Sequence, residues 1–252
     1  MNRLQGKVAI VTGAGSGIGR AAALAFAREG AIVVSADVVV DGGEETVRLI
    51  REAGGQAIFV KTDVSQAEDV KAMVDQTTET YGRLDCAFNN AGISGGYISL
   101  SRCPEDSWDR MIAINLKGVF LCMKYELPRM LKSGGGSIVN TSSIAGMVGD
   151  GGHPAYAASK HGVVGLTRTA AIQYAGAGIR VNAVCPGVIR TPMTEQLFTE
   201  SPELESLMTS QQPISRLAEA EEVARVVIWL CTDEASFITG HPLPVDGGFL
   251  AK

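Results

Sequence analysis

Short apolar runs alternate with amphipathic stretches along the whole chain. The runs at 8–11, 32–36, 57–60, 84–88, 137–141, 180–185 and 243–245 are mostly continuous rather than alternating. Continuous apolar runs mark strands covered on both faces, and their alternation with helical patterns builds a parallel sheet between helices. The pattern therefore predicts an α/β fold, a doubly wound parallel sheet of about seven strands with helices on both faces. Between the runs, Ser65 and Glu68 have the spacing of a capping box that opens a helix toward Tyr81. Pro104 stands where a first helical residue belongs, ahead of an amphipathic stretch from 105 to about 130. An Ala-rich helix is predicted over 155–175, ended by Gly176 and Gly178. Residues 186–213 have no clear sheet role, and irregular segments of that kind often serve as lids. No repeat or linker divides the chain, so residues 1–252 are read as one domain.

Composition and charge narrow the class. The 252 residues are enough to bury a full core without staples. A net charge of −5 with no Lys/Arg run has the wrong sign for a nucleic-acid partner. Cys86, Cys103, Cys122, Cys185 and Cys231 are odd in number and well separated, which reads as free thiols in a reducing compartment. No signal peptide precedes the first run and no run is long enough for a bilayer, so no membrane partner and a cytoplasmic location are expected. No His/Cys/Asp spacing fits a zinc site, and no metal is expected. His161 and His241 read as structural or exposed, whereas His153 sits in a Gly-rich loop three residues before Tyr156.

Candidate chemistry starts after the first run. Thr12-Gly13-Ala14-Gly15-Ser16-Gly17-Ile18-Gly19 leads into an Ala-rich helical pattern over 20–28. Glycines at 13, 17 and 19 allow a tight turn and let backbone N–H groups approach a pyrophosphate at the positive end of that helix. The spacing departs from the plain G-x-G-x-x-G fingerprint, because Ile18 occupies its last position. Asp37 closes the second run 18 residues past Gly19, where a carboxylate accepts hydrogen bonds from ribose hydroxyls. A 2′-phosphate there meets like charge at a cost of about 1–4 kcal/mol. With no Arg or Lys at Ser16 or Val38, this Rossmann-type loop favours NAD over NADP.

Further blocks follow in order. Asn89-Asn90-Ala91-Gly92 follows the fourth run and Ser142-Ser143 the fifth, with Tyr156 and Lys160 lying 13 and 17 residues past Ser143. Pro186-Gly187 follows the sixth run, Thr191 lies four residues on, and Val245-Asp246-Gly247-Gly248 closes the chain. Together with the Thr12–Gly19 loop, these blocks resemble the classical short-chain dehydrogenase/reductase family over nearly the whole length. The resemblance implies that Ser143 hydrogen-bonds the substrate oxygen and that Tyr156 is the general acid/base. It implies that Lys160 holds the nicotinamide ribose and lowers the Tyr156 pKa, and that Asn115 anchors a water in the proton relay. Asp63 and Val64 would contact adenine, Asn90, Ala91 and Gly92 would underlie the cofactor, and Val188 and Thr191 would clamp its carboxamide. A homotetramer built from paired helices and the C-terminal strand is implied as well, with a dimer as the fallback.

Elementary chemistry agrees with those roles. A phenol with a reference pKa near 10 is a poor base at neutral pH. Lys160 lies four residues past Tyr156, so both share one helix face, and nearby positive charge favours phenolate. Lowering the pKa by about 2–3 units needs about 3–4 kcal/mol of differential interaction. Ile93, Ala145, Met147, Val148, Pro186, Met193, Leu197 and Phe198 predict an apolar cleft suited to an apolar or cyclic secondary alcohol or ketone. Trp108, Met111, Phe120 and Met123 make the long helix too apolar for one buried stripe, which predicts a partner subunit. The competing readings are a 3-oxoacyl thioester reductase-like activity, an NAD-dependent epimerase or dehydratase, and a non-catalytic NAD-binding regulator. The last has no need of Ser143, Tyr156 and Lys160 together.

Overall fold

The continuous apolar runs do become strands buried from both sides. A computed structural model describes residues 2–200 and 202–252. Its main sheet holds β1 (Val8–Thr12), β2 (Ile32–Asp37), β3 (Gln56–Lys61), β4 (Cys86–Asn89), β5 (Gly136–Thr141), β6 (Ile179–Pro186) and β9 (Pro242–Val245). All seven are parallel, in the order β3-β2-β1-β4-β5-β6-β9. Two short strands, β7 (Ile189–Arg190) and β8 (Ala218–Glu219), pair apart from it. The chain winds outward in both directions from β1, so the carboxyl ends of β1 and β4 bound the crevice where such sheets take ligands.

Helices α1 (Gly17–Arg28), α2 (Val40–Glu52) and α9 (Ala220–Cys231) supply Phe26, Ile50 and Val227 to the core on one face. On the other face lie α3 (Ala67–Tyr81), α5 (Gly118–Ser133) and α6 (Pro154–Tyr174), which contribute Met73, Met130 and Val163. Each large apolar side chain buried in these layers contributes about 1.5–3 kcal/mol. Of the remaining helices, α4 (Glu105–Ile112) and α7 (Pro192–Glu200) send residues to the crevice, and α8 (Pro202–Ser210) follows α7.

Several local expectations are corrected. Ser65 caps nothing: its hydroxyl donates to Asp63 Oδ1 at 2.7 Å, and Asp69 rather than Glu68 reaches back, to the Asp63 N–H at 3.0 Å. A turn closed by Asp63 competes for the hydroxyl, and α3 opens one residue later, after Gln66. Pro104 is extended (φ −64°, ψ 140°) and precedes α4 instead of starting it. The stretch from 105 to 130 is not one α-helix, because a π-turn at Ala113–Lys117 separates α4 from α5. The predicted 155–175 helix starts at Pro154, and a 3₁₀ turn (Ala175–Ala177) leads to Gly178 in the left-handed region. Residues 186–213 are not irregular: they hold β7, α7 and α8, two helices of nine residues each, too short to impose a clear period on the sequence.

One polar side chain lies inside the α5 layer. Glu126 is fully buried, and Asn89 Nδ2 donates to its Oε2 at 3.0 Å and to Asn140 Oδ1 at 3.1 Å. Asn140 Nδ2 in turn donates to Thr167 Oγ1 at 3.0 Å, tying β4, β5 and α6 together. Among the described residues, Asn89 Oδ1 and Glu126 Oε1 are the buried side-chain oxygens without a partner. A carboxylate cannot donate, but a neutral carboxyl group can. Burial pushes the Glu126 pKa up to about 7, so the acid is the favoured form below neutrality. The folded state then holds this proton more tightly than the unfolded chain. The group's contribution to stability accordingly falls from about pH 4.5 to about 7 and is level beyond, a loss of about 3 kcal/mol. Glu126→Gln is expected to flatten that part of a plot of urea midpoint against pH. A slope unchanged in the variant would show that another group titrates.

Candidate active site

The crevice at the carboxyl edge of the sheet opens into a cleft of about 650 Å³, with Asp37 among its walls along with Ser143, Tyr156 and Lys160. Glycine shapes the Asp37 end. Gly13 has φ +65°, and a Cβ on it would lie 2.9 Å from Ala91 Cα. A Cβ on Gly19 would fall 1.9 Å from the Gly13 carbonyl oxygen, so the loop closes only with glycine there. The neighbouring segment is fastened to the loop: Thr12 Oγ1 accepts from Asn90 N at 2.9 Å and Ala91 N at 3.1 Å. The first turn of α1 carries Gly17 and Ile18 into the cleft with N–H groups that have no intrahelical partner, and Ser16 makes no side-chain cap. Such a helix start is an anion site. Asp37 Oδ2 accepts from Gly15 N and Oδ1 from Val39 N, both at 2.8 Å, which leaves each oxygen a lone pair for a hydroxyl. The donor set and the side-chain-free cradle fit the pyrophosphate and ribose of a dinucleotide.

The other end gathers three polar side chains. Lys160 is 3% exposed, and its Nζ donates to the Thr141 carbonyl at 2.9 Å. It also stands 5.5 Å from the centre of the Tyr156 ring, one helical turn away on α6. Burial lowers its pKa to about 8. Burial pushes the Tyr156 phenol up, and the Ser143 side chain pulls the other way. In the ligand-free chain burial sets the direction of the phenol's shift, and it is upward. Ser143 Oγ accepts from Ala145 N at 3.2 Å, which leaves the hydroxyl proton for a ligand oxygen or for Tyr156. Asn115 is fully buried in the π-turn, where helices widen at many functional sites. Its amide is committed to Ile93, accepting from N at 2.8 Å and donating to O at 2.9 Å, so its side chain holds the Gly92–Ile93 segment in place.

Gly13, Ser16, Gly17, Ile18, Asp37, Asp63, Val64, Asn90, Ala91, Gly92 and Thr191 all line the cleft, as expected. Gly19 shapes the loop from behind, Asn115 stands behind Gly92, and Val188 is not in the wall, its place taken by Gly187 and Ile189. Of the predicted apolar lining, Ile93, Pro186 and Met193 face the cleft, whereas Ala145 and Phe198 are buried and Met147 and Val148 lie elsewhere. The Leu197 side chain lies outside the described residues. Thr62, Arg110, Ile114 and Thr194 were missed. They reach the cleft from a strand exit, the α4–α5 break and α7, and the sequence marks none of these places.

Comparison with known proteins gives a consistent set. A family model described as enoyl-(acyl carrier protein) reductase matches residues 13–250. The chain is 46% identical over 251 residues to a cyclohexanol dehydrogenase of Acinetobacter sp., covering 100% of this chain and 98% of that one. It is 46% identical over 252 residues to a 2,5-dichloro-2,5-cyclohexadiene-1,4-diol dehydrogenase of Sphingobium indicum, with both chains covered in full. The crystal structure of levodione reductase matches with a TM-score of 0.95 at 39% identity, covering 98% of this chain and 99% of that one.

The buried ammonium leads to a stability prediction. The folded pKa of Lys160, about 8, lies below its ordinary 10.5, so the unfolded chain binds this proton more tightly. The resulting cost, about 3 kcal/mol, is in full force below pH 8 and fades as pH rises toward 10.5. Lys160→Met is expected to hold or raise the denaturant midpoint at pH 7 and to lose the gain between pH 8 and 10.5. A variant destabilised at pH 7 would show that the ammonium is held by more than the Thr141 carbonyl.

Proposed function

Because the chain belongs to the classical short-chain dehydrogenase/reductase family, whose members of this kind are oxidoreductases acting on CH–OH groups, we propose that it interconverts a small cyclic secondary alcohol and its ketone with NAD as cofactor. One observation carries this reading: Ser143, Tyr156 and Lys160 stand in the same cleft as Asp37 and the glycine loop. The ring substrate is supported by the cyclohexanol and cyclohexadiene-diol named for the two dehydrogenase relatives. NAD over NADP is supported by the Asp37 carboxylate, which would meet a 2′-phosphate with like charge.

Bound NAD supplies the hydride acceptor and, when oxidised, a positive charge near the phenol. The rest falls to the chain. Ser143 donates to the substrate oxygen and fixes the carbinol group beside Tyr156. Tyr156 takes the hydroxyl proton in oxidation and returns it in reduction. Lys160, with Nζ below the ring, holds the ribose hydroxyls and favours phenolate once charged. Asn115 fixes the Gly92–Ile93 segment and anchors the relay water. Asp63 and Val64 take the adenine, Asn90 to Gly92 the underside of the cofactor, and Val188 and Thr191 its carboxamide.

We assign the enzyme to the cytoplasm as a homotetramer of one catalytic domain over residues 1–252. The five free cysteines support a reducing compartment. Exposed Trp108 and Phe120 on α4 and α5 support a helix-paired interface, although Met111 and Met123 turn inward. Among the described residues no helix is long and apolar enough to cross a membrane.

NADH formation followed by absorbance, with cyclohexanol as substrate, tests the reading. Tyr156→Phe is expected to lower kcat by about 10²–10⁴. Asp37→Ser is expected to narrow the preference for NAD over NADP by about tenfold, through the lost repulsion of the 2′-phosphate. Turnover by Tyr156→Phe at the parent rate would remove Tyr156 from the proton transfer.

A further inference from the structure

A second chamber of about 240 Å³ adjoins the cleft, with Tyr156 in the wall of both. Its lining includes Tyr97, Cys103, Ser107, Met111 and His153. That volume lies just below the usual range for ligand pockets, which leaves room for no more than one compact ring. The chamber's polar wall groups are those of Tyr97, Cys103, Ser107, His153 and Tyr156, so few side chains can orient a polar substituent on a ring held there.

His153 is placed for that task. It is the N-cap residue of α6, three positions before Tyr156, so the two side chains are neighbours across the first helical turn. Its Nδ1 lies 3.0 and 3.1 Å from the two Asp150 oxygens. A carboxylate at Nδ1 fixes the tautomer with the proton there and leaves Nε2 as an acceptor. The ring also has an aromatic neighbour at its side. Tyr97 meets it edge-on, with centroids 6.1 Å apart and planes at 87°. Tyr97 in turn lies against Gly152, where a Cβ would come within 2.2 Å of the phenol ring. The Ile98 N–H donates to the Gly152 carbonyl at 2.8 Å and binds the two loops together.

We propose that this chamber is a second anchoring site, in which His153 Nε2 accepts a hydrogen bond from a second hydroxyl on the substrate ring. The natural substrate is then a small cyclic diol, oxidised at the hydroxyl beside Tyr156 and held by the other. This rests on the dehydrogenase reading for the identity of the reacting end. Ser107 completes the site as a donor or acceptor beside His153. Asp150 acts through His153, as a positioning residue that keeps the acceptor nitrogen facing the ligand.

The test compares 1,4-cyclohexanediol with cyclohexanol on the full-length protein, by kcat/KM with NAD and by calorimetric titration of the NADH-loaded protein. The parent is expected to prefer the diol by about tenfold or more in both measurements. His153→Ala should remove that preference through KM, and His153→Gln, which offers a carbonyl oxygen near the position of Nε2, should restore part of it. A diol-to-monool ratio that is unchanged in His153→Ala overturns the proposal. So does a parent that shows no preference in either measurement, or one that prefers 4-hydroxycyclohexanecarboxylate to the diol. Calorimetric preference for the diol that depends on His153, without turnover of either alcohol, would support the anchoring site and overturn the dehydrogenase reading.

Discussion

The arrangement of the site follows from one constraint, the burial of the Lys160 ammonium with a backbone carbonyl as its hydrogen-bond partner. An amine at 3% exposure loses nearly all of its hydration, and one neutral acceptor does not replace that. The surrounding structure is therefore organised around keeping it in place. The carbonyl comes from Thr141 at the last residue of β5, and Ser142 Oγ donates to the Lys160 carbonyl at 2.9 Å, so strand end and helix are joined in both directions. Gly146 passes so close that a Cβ would lie 2.7 Å from the Lys160 carbonyl oxygen, and a Cβ on Gly92 would lie 3.6 Å from Nζ. The Gly146 loop thus reaches the lysine only because it lacks a side chain there, whereas Gly92 lies at ordinary contact distance. The position of Tyr156 is a consequence, since one helical turn joins it to Lys160 on a helix that cannot rotate without breaking these contacts.

Much of this was legible in the sequence because the informative spacings are local. Tyr156 and Lys160 fall four apart on a helix, Ser143 ends a strand, and a glycine loop joins a strand to a helix. In each case the relation survives whatever the rest of the fold does. What escaped depends on contacts between distant segments. Asn115 was assigned to a relay water, but that its side chain also holds the Ile93 backbone, 22 residues away, leaves no local mark in the sequence. Val188 was assigned through the family resemblance, whereas the presence of its neighbours Gly187 and Ile189 in the cleft wall follows from how the chain leaves β6. Ser65 had the pattern of a cap, but Asp63, two residues earlier, takes its hydroxyl. The α7–α8 region was unreadable because each helix has only nine residues, too few to impose a clear period.

The direction of the Tyr156 pKa is a further case. Sequence places an ammonium near the phenol and so suggests a lowered value. Burial acts on both groups at once, raising the phenol and lowering the amine, and burial cannot be read from a four-residue spacing. A site dry enough to strengthen hydrogen bonds to the substrate oxygen is thereby one that resists the phenolate, while an amine with a pKa of about 8 still carries its charge at neutral pH.

Glu126 shows the same physics in a residue that the helical pattern gives no reason to single out. It lies in α5, below the strand ends that carry the site, and it links Asn89 on β4 with the Asn140–Thr167 bond between β5 and α6. Asn89 is followed directly by Asn90, which holds the glycine loop, and Asn140 by Thr141, which holds Lys160. The network therefore fixes the relative height of both halves of the cleft. Its acid and the buried lysine affect stability in opposite pH ranges: the cost of Glu126 grows toward pH 7, and that of Lys160 fades only above pH 8. Between those values both costs apply together. These two costs therefore coincide near neutral pH, at the groups that hold the strand ends and the site helix in register.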